Sequence, residues 1–131
     1  MTGRAGLDRC REELAAARLL ADKGFTAQAV SRAYYAAFFA AETALLALGE
    51  TRSKHSGVIS AFVHLLVRRG QLDEESGRLL RSLFERRNEA DYSPVDVPLE
   101  EAGAAIRDAE LVVGAVEAWL GRHGWATGPR R

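Results

Sequence analysis

Residues 83–98, LFERRNEADYSPVDVP, combine side chains that could bind an anion and move a proton. Two adjacent arginines are followed, within about one and a half helical turns, by an amide, a carboxylate and a phenol. These side chains are Arg86, Arg87, Asn88, Asp91 and Tyr92. A guanidinium can make two parallel hydrogen bonds to a phosphate. The segment is therefore either a solvated helix end or a functional site.

Helical geometry separates the two arginines. With ~100° per residue, the apolar face of the surrounding helix is formed by Leu79, Leu80, Leu83 and Phe84. Arg87 falls within roughly 10° of the centre of this face, whereas Arg86 lies roughly 90° away. A guanidinium on a buried face must be paired or line a cleft. We therefore expect Arg87 to have a functional or buried-paired role.

His55 occupies a matching position on the preceding helix. The inner face of that helix is formed by Val58, Ile59, Phe62, Val63 and Leu66, and His55 lies within roughly 10° of its centre. A turn near residue 71 would place position 55 level with position 87. A nearby guanidinium and the helix N-terminus both disfavour imidazolium. His55 is then either a neutral proton acceptor beside Arg87 or a satisfied histidine at a helix start.

The remaining polar residues allow more than one interpretation. Asp91 follows Arg87 by four residues, so an ordinary intrahelical ion pair is the favoured interpretation for Asp91 taken alone. Tyr92 precedes Ser93-Pro94, where the helix should end, so Tyr92 would turn back into the cleft or pack against a second subunit. Tyr34 and Tyr35 lie in an apolar run and are interpreted as core or interface packing.

Composition excludes several kinds of function. Eighteen Lys and Arg residues balance eighteen Asp and Glu residues, so no global field would attract nucleic acid, and any such binding must come from a local cluster. One cysteine, Cys10, and histidines at 55, 64 and 123 show no metal-ligand spacing. We expect no metal and no cofactor.

The same sequence predicts a cytoplasmic protein without a membrane span. The N-terminal residues, MTGRAGLDRCREEL, lack the apolar run of a signal peptide. The most apolar stretch, residues 33–48, is interrupted by Glu42 and is shorter than the ~18 apolar residues that a membrane span needs. This stretch is better explained as a buried helix.

The hydrophobic periodicity predicts an all-α chain, because no segment alternates with period two for long. Five helices are expected, at about residues 5–22, 26–48, 54–69, 73–91 and 98–120. The second is apolar nearly all round and rich in alanine, so it should be the central helix of the bundle. The caps Thr26 and Asp73 and a Pro98 at the first helical position mark helix starts.

The length of 131 residues fits one domain. We expect this domain to cover residues 1–121. Residues 122–131, which contain Gly124, Gly128 and Pro129, are predicted to form a flexible tail.

Three segments together resemble the HEPN domain family, in particular its small stand-alone prokaryotic members. They are SRAYYAAFFAAETALLALGE in the second helix, SKHSGVISAF at the start of the third, and LFERRNEADY at the end of the fourth. The resemblance implies an up-and-down bundle of four or five helices. It also implies a homodimer in which the fourth-helix arginines of two protomers face a shared cleft.

In ribonuclease members the motif is an arginine, a polar residue and, a few residues later, a histidine. The arginine and the histidine assist attack of the RNA 2′-hydroxyl on the adjacent phosphate. Arg87 matches the arginine and Asn88 the polar residue, but Tyr92 stands where the histidine would be. A phenol has a pKa of about 10 and accepts a proton poorly at neutral pH. Metal-independent RNA cleavage is therefore weakened, unless His55 acts as the base.

The leading hypothesis is a homodimeric HEPN protein that binds RNA or a nucleotide, with a ribonuclease toxin as its active form. Arg87, His55 and Tyr92 are the candidate catalytic residues, and Arg86, Asn88 and Asp91 the candidate ligand-binding residues. The resemblance implies a nucleotidyltransferase partner in a toxin-antitoxin-like pair. The alternative is a catalytically inactive helical interaction module, in which Arg87 and Asp91 satisfy each other at a dimer seam.

Overall fold

A computed structural model of the chain describes residues 3–123, which form five helices and no strand. The helices are α1 (Gly3–Asp22), α2 (Thr26–Ala47), α3 (His55–Phe62, continued by a π-helical turn at Val63–Val67), α4 (Glu74–Tyr92) and α5 (Leu99–Arg122). The all-α prediction is confirmed, and the predicted helix ends agree within a few residues. The predicted tail falls mostly on residues 124–131, which lie outside the described residues.

Helix α2 is the centre of the bundle and packs against each of the other four helices. Its alanines at 33, 36, 37, 40, 41 and 44 are all fully buried. Small side chains allow neighbouring helix backbones to approach closely. At Gly6 of α1 the approach is so close that an added Cβ would overlap the side chain of Thr43. The prediction of a central second helix is confirmed.

Helix ends agree with the sequence signals in part. Asp73 caps α4 by accepting a hydrogen bond from the Ser76 backbone N–H at 3.3 Å, as predicted. Phe25, and not Thr26, occupies the cap position of α2, because the Thr26 hydroxyl instead donates to the Val97 carbonyl oxygen at 2.6 Å. Pro98 takes the cap position of α5, one residue before the predicted place.

The sequence predicts that the third helix is a uniform α-helix, but the structure shows a change of helix type within it. At its C-terminal half the Arg68 N–H donates to the Val63 carbonyl, five residues earlier, which widens the turn. The side chains of Val63 and Val67 from this turn pack over Gly77 of α4, where a Cβ would lie 3.2 Å from Val67 Cγ2. The π-helical turn therefore fits the α3–α4 hairpin together without a side chain at position 77.

No helix among residues 3–123 is both long enough and apolar enough to span a membrane.

Candidate functional site

The Arg87 side chain points into the bundle, in the direction that the helical wheel predicts. It is only 13% exposed. Its guanidinium carbon lies 5.1 Å from the ring centre of Tyr34, 5.8 Å from that of Tyr35 and 5.7 Å from that of Phe84. A guanidinium over aromatic faces is stabilised by the ring quadrupoles. An aromatic pocket of three rings therefore holds this charge where helix packing would usually place an aliphatic side chain.

The polar partners of Arg87 are fewer than its burial would lead one to expect. Nη1 donates to Asp91 Oδ2 at 3.4 Å, which is a long contact for a charged hydrogen bond. Nε is buried and has no hydrogen-bond partner among the described residues. Buried polar groups are nearly always hydrogen-bonded, so a buried N–H without a partner among the described residues needs an explanation. The Arg87 guanidinium is thus a desolvated cation with incomplete compensation.

His55, the first residue of α3, packs against the same aromatic side chains. Its ring stacks on Phe38 with the centres 4.1 Å apart. Its Nδ1 is hydrogen-bonded to the Tyr34 hydroxyl at 2.8 Å. Burial and the Arg87 charge both lower the pKa of His55 below its ordinary value. Both effects favour the neutral imidazole; the Arg87 charge is a cause that the sequence predicts, and burial is the larger one.

Tyr34 connects His55 to Arg87. The His55 ring and the Arg87 guanidinium both contact Tyr34. The guanidinium also lies over the Tyr35 ring, which the His55 ring meets edge to face. Burial raises the pKa of Tyr34, so its hydroxyl keeps its proton. The expected juxtaposition of positions 55 and 87 is thus present in the fold.

Sequence reasoning missed the polar role of Tyr34. The packing interpretation is correct for its ring, which is fully buried, but it overlooked the hydroxyl. The available signal was that a buried tyrosine hydroxyl normally needs a hydrogen-bond partner.

Tyr92 is not brought into this cluster within the protomer. It is the last residue of α4 and is 80% exposed. Because the helix continues through position 92, the side chain keeps its helical direction and does not turn back into the cleft. Of the two predicted placements, contact with a second subunit is the one that this geometry leaves open. Asn88, one turn earlier, is half-buried.

Arg86 lies on a different side of α4 and makes other contacts. Its Nη2 donates to Asp108 of α5 at 2.8 Å, and its Nε donates to the Ser82 carbonyl at 3.4 Å. The pair is largely buried, with 19% and 29% of the two side chains exposed. The fold therefore places Arg86 in the seam between α4 and α5, away from the aromatic pocket around Arg87.

No group of His, Cys, Asp and Glu side chains within residues 3–123 could hold a metal ion. Cys10 is fully buried, and burial raises the pKa of its thiol to about 12. The polar groups that meet at the aromatic pocket are therefore Arg87, His55 and Tyr34.

Comparisons with known proteins identify the family of the chain. The chain is 40% identical over 111 residues to a UPF0332 protein of Thermotoga maritima, covering 83% of each chain. It is 36% identical over 106 residues to "Putative toxin MJ0605" of Methanocaldococcus jannaschii, covering 81% of this chain and 79% of that protein. A second protein of that organism, "Putative toxin MJ0142", is 26% identical over 115 residues, or 87% of this chain and 78% of that protein. Residues 4–119 match the HEPN domain, so the helical bundle that carries Arg87 and His55 belongs to the HEPN family.

Proposed function

We propose that the protein binds RNA or a nucleotide through a phosphate held by Arg87. The observation that carries this proposal is the state of the guanidinium: it is 13% exposed, and among residues 3–123 it has one long carboxylate contact and a buried Nε without a partner. A phosphate would add charge-assisted hydrogen bonds to the exposed edge of the group. Since the site is partly desolvated, each such bond is stronger than it would be in water.

RNA cleavage at this site would use His55 as the base. A neutral His55 would take the proton from the 2′-hydroxyl, whose oxygen then bonds to the adjacent phosphorus while the bond from phosphorus to the 5′-oxygen breaks and the 5′-oxygen takes up a proton from water. Arg87 would stabilise the charge that develops on the phosphate oxygens. This role requires that Nδ1 of His55 donates to the Tyr34 hydroxyl oxygen, so that Nε2 keeps its lone pair. Tyr92 does not replace the missing histidine as a proton acceptor.

The functional unit of this proposal is a cytoplasmic homodimer with Arg87, Asn88, Asp91 and Tyr92 of both protomers around one cleft. The exposure of Tyr92 at the end of α4 supports a contact with a second subunit. Because two relatives carry the name "Putative toxin", we propose a ribonuclease toxin. The resemblance to the HEPN family is what implies a nucleotidyltransferase as its partner. Arg86, which is paired with Asp108, would contribute to the electrostatic potential of the cleft but would not contact the ligand.

One observation favours the alternative of a non-catalytic interaction module. Arg87 already has a carboxylate neighbour in Asp91, and its charge lies over three aromatic rings. In that case Arg87 is a structural residue at a dimer seam. Its removal would then weaken the dimer by a few kcal/mol, because the remaining partner is left with an unpaired buried charge.

The two functions are separated by Arg87→Ala and His55→Ala, with Arg81→Ala as the matched control. Arg81 is an exposed arginine on the same helix. RNA binding and cleavage, thermal stability and the oligomeric state are measured for each variant. We expect Arg87→Ala to lose RNA binding, His55→Ala to lose cleavage only, and Arg81→Ala to resemble the wild type. Unchanged RNA binding in Arg87→Ala, together with a weakened dimer, would leave the interaction module as the function.

A further inference from the structure

A cavity lies beside Arg87, between the first turns of α2 and the last turn of α4. Its volume is about 270 Å³, and it is lined by Ala27, Gln28, Ser31, Arg32, Ala90 and Asp91. Two of the lining side chains are alanines, which leave the space open. The other four carry a carboxamide, a hydroxyl, a guanidinium and a carboxylate. The cavity is therefore polar and suited to a ligand with several hydrogen-bonding groups.

Asp91 joins this cavity to the Arg87 site. The carboxylate that lines the cavity is the same one that contacts Arg87 Nη1 at 3.4 Å. A phosphate on Arg87 would therefore lie next to the opening of the cavity. A second phosphate inside the cavity would be repelled by the Asp91 carboxylate. The part of the ligand that enters the cavity must then be uncharged.

Arg32 closes the other side of the cavity and is held in place. Its Nη1 donates to both carboxylate oxygens of Glu13 at 3.2 Å. Its guanidinium carbon lies 4.8 Å from the ring centre of Tyr35, and the Arg87 guanidinium also lies over this ring. The charge of Arg32 is thus compensated by Glu13, and the side chain acts as a fixed wall with N–H groups. Gln28, Ser31, Arg32 and Tyr35 follow the three- and four-residue spacing of one helix face.

We propose that this cavity is a ribonucleoside subsite, which receives the sugar and base next to the phosphate on Arg87. This inference rests on the proposed function. It adds that the site recognises the sugar and the base of the ligand as well as its phosphate. A ribose hydroxyl donates to the Asp91 carboxylate, as a ribose 2′-hydroxyl does to the acidic residue of dinucleotide-binding folds. The Ser31 hydroxyl donates to or accepts from the same sugar, and the Gln28 amide contacts the edge of the base.

The size of the cavity limits what it holds. Ligand pockets usually have volumes of about 300–1,000 Å³, and the value of about 270 Å³ lies just below that range. One nucleoside unit is therefore appropriate, and a base-paired segment is not. Since the 2′-hydroxyl is the group by which a protein distinguishes RNA from DNA, this subsite makes the protein prefer RNA.

The test compares binding of a short single-stranded RNA with that of the DNA of the same sequence. Ala27→Leu fills the cavity, and Ser31→Ala removes the hydroxyl and cannot disturb packing by size. Ala118→Leu and Ser60→Ala make the same changes at exposed positions of α5 and α3 and are the matched controls. The wild type and both controls are expected to prefer RNA by about fivefold, the effect of the one neutral hydrogen bond that Ser31 makes to the sugar. In Ala27→Leu and Ser31→Ala, the affinity for RNA is expected to fall toward the affinity for DNA.

The outcomes distinguish the subsite from the proposed function. An RNA preference that persists in Ser31→Ala and in folded Ala27→Leu overturns the subsite and leaves the Arg87 phosphate site standing. Equal affinity of the wild type for RNA and DNA also overturns it. Undiminished RNA binding by Arg87→Ala, or no RNA binding by the wild type, overturns the proposed function and this inference with it.

Discussion

Two neighbouring regions of α4 hold adjacent arginines in different states. In the α4–α5 seam, Arg86 is 19% exposed and meets Asp108 at 2.8 Å. In the aromatic pocket, Arg87 is 13% exposed and meets Asp91 at 3.4 Å, with its Nε unpaired among the described residues. Arg87 is thus the more deeply buried of the two arginines, yet its contact with a carboxylate is the longer one. Side chains that violate the usual pairing of buried polar groups are expected at functional sites, so the difference supports the proposal that Arg87 is the functional arginine and Arg86 a structural one.

The largest expected effect comes from removing each arginine in turn. Arg87→Ala should lower RNA affinity by about 100-fold, the loss of a two-bond contact to phosphate. Its free energy of unfolding should change by no more than about 1 kcal/mol, because the desolvation of the guanidinium offsets its ring contacts. Arg86→Ala should reduce RNA affinity little and should destabilise the fold by about 1–2 kcal/mol, since Asp108 is left unpaired. Fluorescence anisotropy measures the RNA affinity, and urea denaturation measures the free energy of unfolding. If one of the two variants showed the larger loss in both assays, the contrast between Arg86 and Arg87 would be contradicted.

Removing the carboxylates sharpens the comparison through stability alone. Asp108→Ala leaves a largely buried Arg86 without its interhelical partner and should cost about 1–2 kcal/mol. Asp91→Ala removes only a long contact between residues four apart and should cost about 0.5 kcal/mol or less. Urea denaturation of both variants gives the values. A larger loss for Asp91→Ala would mean that Arg87 depends on this pair as a structural element.

The Tyr34 hydroxyl offers a smaller effect within the aromatic pocket. Tyr34→Phe keeps the ring under Arg87 but removes the partner of His55 Nδ1, and should cost about 1 kcal/mol of unfolding free energy. It should also reduce RNA cleavage more than RNA binding, because His55 loses its fixed orientation. Tyr35→Phe is the control, since it removes a hydroxyl from the neighbouring half-buried ring. Equal losses of cleavage in Tyr34→Phe and Tyr35→Phe would show that the hydrogen bond between Tyr34 and His55 does not orient His55 for cleavage.

The pH dependence of stability gives the smallest effect. The pKa of His55 is lowered in the folded protein, so the unfolded chain binds more protons below its pKa of about 6.5. Stability from a neutral His55 is therefore fully present above about pH 6.5 and is lost as the pH falls through the folded-state pKa. His55→Gln should flatten this part of the curve in thermal melts between neutral and acidic pH. A wild-type curve that the substitution does not change would mean that His55 titrates normally.

Much of the fold and part of the candidate site could be predicted from the sequence. The helix periodicity alone is sufficient to predict that Arg87 points inward, and the short turn between α3 and α4 brings His55 level with it. Both inferences are local, because a helix has a fixed angle per residue and a short turn fixes register. The Asp73 cap follows equally from local chemistry.

The contacts that sequence reasoning missed all join residues far apart in the chain. Arg86 pairs with Asp108, and Arg32 pairs with Glu13 across α1 and α2. Their formation depends on how helices rotate and cross, and helical spacing within one element does not contain that information. The same limit applies to the cavity beside Asp91, which exists because α2 and α4 meet at alanines.

The sequence by itself determined that the chain is helical, that α2 is central and that one arginine of the adjacent pair faces the core. These properties follow from the period of the helix and from the burial of apolar surface. Only the tertiary structure decided which arginine is neutralised. Asp108 lies 22 residues from Arg86 and reaches it only when α5 packs against α4, whereas no helix brings a second carboxylate to Arg87 within residues 3–123.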